Sequence, residues 1–133
     1  MTYKYTTGLH SVGSYQVSGV PYLTGSVDTL TAGAEHKIEF PSVTRTVTVI
    51  NTDASACPIH AHFNSKLLGN VSGGLHYVAL TSVNDAMTFN VKCKEIYISN
   101  PDAALTASYT VVAELTGINI SEMFALTGSG LTD

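Results

Sequence analysis

Hydrophobic and polar positions alternate with a period of two along most of the chain. The cleanest run is 43–50, VTRTVTVI, where Val43, Arg45, Val47 and Val49 fall on one side and Thr44, Thr46 and Thr48 on the other. Successive side chains of an extended strand point to opposite faces, so this run predicts a strand with one face turned to a core. Its β-branched residues are stiff at χ1 and suit a pleated surface. Arg45 is expected near the strand entrance, with its head in solvent. The same template fits 35–40, 58–64, 75–81, 86–91, 95–99 and 107–115. Turn-forming residues separate these runs: Asn51-Thr52-Asp53, the stretch from Gly69 to Gly74, Asn84-Asp85 and Asn100-Pro101-Asp102. The inward set changes phase between Met87, Phe89, Val91 and Ile96, Ile98, which predicts a tight turn or bulge at Lys92-Cys93-Lys94. Residues 117–126, GINISEMFAL, fit a final strand or one helical turn.

About seven or eight short strands, with no sustained helical period, predict an all-β fold. The expected architecture is a single antiparallel β-sandwich spanning 1–133, of jelly-roll or immunoglobulin-like type. Residues 1–34 mix Tyr, Gly, Ser and Thr with little apolar periodicity and read as a partly extended N-terminal arm; 127–133, TGSGLTD, read as a C-terminal tail. Such ends either fray or are ordered by a neighbour. Tyr3, Tyr5, Tyr15 and Tyr22 would supply amphipathic contact area to a neighbour, and Phe124 and Leu126 join them as candidate interface residues.

Charged residues make up 12% of the 133 positions, against a usual share of about 25%. Ser and Thr stand where charges normally would, which leaves a polar surface offering little electrostatic resistance to contact with other chains. Six Lys and Arg residues in a chain of formal charge −4 are too few to neutralise a row of phosphates, so no nucleic-acid partner is expected. The opening MTYKYTTGLHSVGSYQ lacks the apolar centre of a signal peptide, and no apolar run is long enough to span a bilayer; the expectation is a chain made in the cytoplasm, with no membrane partner. Cys57 and Cys93 belong to no CxxC pair and read as buried free thiols; a bridge between them stays open, since strands distant in sequence can be neighbours in a sandwich.

The strongest candidate for chemistry is His60-Ala61-His62. On a strand, residues i and i+2 share a side, so two imidazoles could share a metal, with His76 on a later strand as a third ligand. The pair resembles the HxH of cupins, but the residues that follow, Phe63-Asn64-Ser65-Lys66-Leu67-Leu68, include no carboxylate, so the motif fails at its Glu. Ile59, Ala61 and Phe63 are expected to face the core, leaving His60, His62 and Asn64 on a wetter face. No metal or other cofactor is therefore expected. The chain has no GxSxG elbow, its ten acids are dispersed, and the Gly69–Gly74 stretch lacks the Lys and spacing of a phosphate loop. On this reading the protein is not an enzyme.

The runs VTRTVTVINTD, HAHFNS, GGLHYV, FNVKCKEIYISNP and ASYTVVAELT, followed by ALTGSGLTD, resemble small virion-associated structural proteins of marine tailed phages over roughly residues 10–133. The resemblance implies a component of the virion, assembled in the host cytoplasm. Its expected job is capsid decoration or cement, stabilising the shell by bridging assembled subunits. The implied partners are the major capsid protein or other virion proteins and further copies of the same chain, a trimer being one arrangement. Two other readings accompany it: a tail or head-fibre module whose loops at 51–57, 65–74 and 82–86 bind a host receptor or glycan, and a cupin-like metal protein using His60, His62 and His76.

Overall fold

The computed structural model describes residues 20–54, 57–67, 71, 74–128 and 131–132. Eight strands follow in order: β1 (Val20–Leu30), β2 (Glu35–Glu39), β3 (Thr44–Asn51), β4 (Ile59–His62), β5 (Val78–Leu80), β6 (Ala86–Phe89), β7 (Glu95–Ser99) and β8 (Ala107–Leu115). A single turn of 3-10 helix, Ile120–Glu122, comes after them. Among the described residues no helix is long and apolar enough to cross a membrane. The strands form two four-stranded antiparallel sheets, ordered β1-β8-β3-β6 and β2-β7-β4-β5. The first strand thus pairs with the last, the second with the seventh, the third with the sixth and the fourth with the fifth. This is the pairing of one long hairpin rolled into two layers.

The expected β-sandwich is present, and period-two alternation explains how it closes. Val47 and Val49 of β3 and Tyr109, Val111, Ala113 and Leu115 of β8 meet Ile38, Ile59, Ala61, Leu80, Ile96 and Ile98 of the facing sheet in one buried cluster. Each fully buried aliphatic side chain of this kind contributes about 1.5–3 kcal/mol relative to leaving it in water. Polar links also join the layers: His36 Nδ1 lies 2.8 Å from the Tyr109 hydroxyl, and Asn51 Nδ2 donates to the carbonyls of Cys57 and Leu80. Asn100 does the same for the neighbouring loops, donating to Leu30 and Leu105. Both asparagines also accept from the N–H two residues on, Asp53 and Asp102, so the N-T-D and N-P-D turns are Asx turns anchored in the interior.

Three local readings change. Residues 20–30, expected as part of an arm, form the longest strand, β1, paired along β8 from Val20↔Leu115 to Leu30↔Ala107. Gly25 permits the approach, because a Cβ there would lie 2.8 Å from the Tyr109 carbonyl oxygen. In β3 a register shift between Thr44 and Thr46 breaks the alternation. Thr44 turns inward and is fully buried, its hydroxyl donating to the carbonyls of Val91 and Cys93, while Arg45 reaches Glu114 at 3.0 Å. Where a tight turn or bulge was expected, at Lys92-Cys93-Lys94, the chain leaves one sheet for the other, between β6 and β7. Cys57 and Cys93 are free and buried, at separate places in the core.

Residues 116–126, after β8, are also built into the domain. Of the two alternatives for 117–126, the helical turn forms. Val43 donates to the Ile118 carbonyl, and Thr116 donates back to Val43. Ile118 and Met123 then bury against Val43, with Leu126 packed on this cluster and on the main core.

Candidate functional site

The alternation that fills the core also decides what the outer faces carry. On β4, Ile59 and Ala61 point inward and His60 and His62 outward; the register His60↔Ser99 and His62↔Tyr97 sets them beside the outward residues of β7. On β2 the outward residues are Glu35, Lys37 and Glu39, paired with Ser99, Tyr97 and Glu95. This face therefore gathers imidazoles, phenols, carboxylates and an ammonium. Lys37 Nζ lies 3.1 Å from Glu95 and 3.3 Å from Glu39, and 5.9 Å from the centre of the Tyr97 ring. The two carboxylates, Glu95 first, push the Lys37 pKa well above its ordinary value.

His62 is not on a wet face, as the alternation alone would suggest. Described residues after β4 lie back across the sheet: Lys66 N–H donates to Glu35 Oε2 at 2.7 Å, Lys66 Nζ donates to the Gly33 carbonyl, and His76 N–H donates to the Val71 carbonyl at 2.9 Å. His62 is left 2% exposed and Asn64 is buried beside it. Asn64 Nδ2 donates to the Leu126 carbonyl, tying the end of the chain to the same place. His62 Nδ1 lies 2.6 Å from the Asn64 carbonyl, and His62 Nε2 lies 2.8 Å from Ser99 Oγ. A carbonyl only accepts, so Nδ1 carries the proton and Nε2 accepts from the Ser99 hydroxyl. Burial holds the imidazole below its ordinary pKa, against the pull of the Asn64 carbonyl and of Glu35, whose carboxylate is 4.0 Å from Nε2. His60 stacks face to face on Tyr77 with centroids 3.8 Å apart, and its pKa is also lowered, first by burial and then by His62.

Two cavities flank these residues. One, of about 250 Å³, is lined by His60, His62, Lys66, Tyr77, Ser99 and Asn100, among others. The other, of about 260 Å³, lies between Phe63, Leu75, His76, Tyr77 and Phe89. His76 Nδ1 is buried there with no hydrogen-bond partner among the described residues. The three histidines do not converge: among the described residues no group of three or more His, Cys, Asp or Glu side chains is placed to hold a metal ion. Both ring nitrogens of His62 are already taken by Asn64 and Ser99.

Of the expected interface residues, Tyr3, Tyr5 and Tyr15 lie outside the described residues. Tyr22 is half-buried and packs edge to face on Phe40, with centroids 5.6 Å apart. Phe124 is 65% exposed, and Leu126 is half-buried between the two apolar clusters. Ser99, Lys66, Tyr77 and Glu35 were not singled out by sequence reasoning. Their outward phase was readable, but their convergence on His62 was not.

The outer face of the other sheet is of a different kind. Register places Pro21, Leu23 and Gly25 of β1, Thr110, Val112 and Glu114 of β8, Thr46, Thr48 and Ile50 of β3, and Ala86 and Thr88 of β6 on it. Thr48 and Thr88 share a 2.8 Å hydroxyl contact, and Leu23 is 69% exposed. Arg45–Glu114 is its ion pair among the described residues. No family model matches the chain, and no curated protein or solved structure matches it.

Proposed function

We propose that this chain is a virion structural protein that decorates or cements a capsid, folded as a jelly roll. The nested pairing of first strand with last, second with seventh, third with sixth and fourth with fifth supports the jelly-roll reading. That architecture serves viral capsid, lectin and cupin domains alike, so the surface has to decide among them.

The observation that carries the proposal is the outer face of β1-β8-β3-β6. It is threonine-rich and poor in charge, with Leu23 standing out of it. Little desolvation of charge opposes its burial against another protein, and a rigid sandwich loses little entropy on docking. A cement protein that binds assembled capsid and not free subunits stabilises the shell by mass action, and many copies add their contacts. The partners are the major capsid protein and neighbouring copies of the chain.

The test adds purified protein to capsids that lack it and measures occupancy and the temperature of shell disruption. Binding with a raised disruption temperature is expected, and Leu23→Glu should abolish both. Absence of binding and of any shift would sink the proposal. A receptor-binding module would behave oppositely, with substitutions in 65–74 abolishing host adsorption while particles stay stable.

A further inference from the structure

We propose that Ser99 and His62 form a nucleophile and general-base pair that cleaves small acyl esters in the cavity between β4, β7 and the segment folded over them. This goes beyond the capsid reading and is independent of it, since the pair lies on the opposite sheet from the face expected to dock.

The geometry has the parts that serine-dependent acyl transfer needs. The Ser99 hydroxyl is 2.8 Å from His62 Nε2. The Asn64 carbonyl, 2.6 Å from Nδ1, holds the imidazole in the tautomer whose free lone pair faces that hydroxyl. Glu35, 4.0 Å from Nε2, is placed to stabilise the imidazolium that forms on proton transfer. Ser99 is 5% exposed and reaches the outside through the cavity of about 250 Å³ that both residues line. Lys66, on the same wall, is the cation available to a developing oxyanion. The small volume selects an acetyl-sized acyl group.

Ser99 Oγ attacks the ester carbonyl carbon while its proton passes to His62 Nε2. The tetrahedral oxyanion collapses, the bond from carbon to the alcohol oxygen breaks, and the alcohol leaves with the proton from Nε2. Water then adds to the acyl-Ser99 ester with His62 again as base, releasing the carboxylic acid and restoring the hydroxyl. Water is the sole co-reactant.

The experiment treats the full chain with p-nitrophenyl acetate and, separately, with a small sulfonyl fluoride, and reads released nitrophenol, intact mass and the modified peptide. The expected result is one adduct per chain, on Ser99. It should be absent in Ser99→Ala and form at least about a hundredfold more slowly in His62→Gln. Should Ser99→Ala fail to fold, Ser99→Cys keeps the pair and is expected to alkylate rapidly with iodoacetamide, while the buried Cys57 and Cys93 do not. No adduct on Ser99, equal ester cleavage by folded Ser99→Ala, or an unreactive Cys in Ser99→Cys would each overturn the proposal.

Discussion

The two outer faces of this sandwich follow the same alternation and differ in nearly everything else. One carries His60, His62, Tyr97, Ser99, Glu35, Lys37 and Glu95, and a returning segment closes over part of it. The other carries threonines, Leu23, Val112 and Ile50, with a single ion pair among the described residues. The first spends its polar groups on one another, with His62 bonded on both sides. The second leaves its hydroxyls and Leu23 to the outside. Burial of an outward residue is thus a property of what covers it, and the described residues cover one of the two faces and leave the other open.

The largest expected effect tests how firmly the covered face is built. His62→Ala leaves the Asn64 carbonyl and Ser99 hydroxyl without partners in a buried place and should lower unfolding stability by about 2–4 kcal/mol in urea titration. Thr48→Ala on the open face should change it by less than about 1 kcal/mol. Similar losses at the two sites would erase the distinction.

Acid should divide the faces next. The folded-state pKa of His62 lies below its ordinary value of 6.5, so folding favours the neutral ring. The stability this contributes is fully present above 6.5 and is lost as pH falls below that value toward the depressed folded pKa. His60 acts in the same direction. Thermal unfolding should therefore fall on acidification below about pH 6.5, and His62→Gln should flatten that slope.

Lys37→Met gives a smaller effect. Its ammonium bridges Glu39 and Glu95 but is nearly half exposed, so the loss should be about 0.2–1 kcal/mol and should shrink in high salt. Smallest of all is Leu23→Glu, expected to leave the unfolding stability of the isolated chain within about 0.5 kcal/mol of the parent's. Its effect should appear on capsids alone, which separates a docking surface from a structural one.

Much of this was legible in the residues. The runs at 43–50, 95–99 and 107–115 announced their strands because valines and isoleucines alternate there with polar partners. The turns at Asn51-Thr52-Asp53 and Asn100-Pro101-Asp102 were visible from side chains that bond their own backbone. Strand β1 was not, because VPYLTGSVDTL has no regular apolar face and is held by backbone pairing to β8, which lies 77 positions on at Leu30↔Ala107 and 95 at Val20↔Leu115. The buried state of His62 was hidden too, since its local pattern matches that of any outward strand residue.

What the sequence determined by itself is the local grammar: extended segments, their two faces and the places where they turn. These follow from backbone sterics and from the separation of apolar and polar side chains over two or three neighbouring residues. Only the tertiary structure decided which strands adjoin, that Ser99 meets an imidazole 37 residues away, and which outward face is covered. Such outcomes depend on contacts between segments distant along the chain, and no local pattern encodes them.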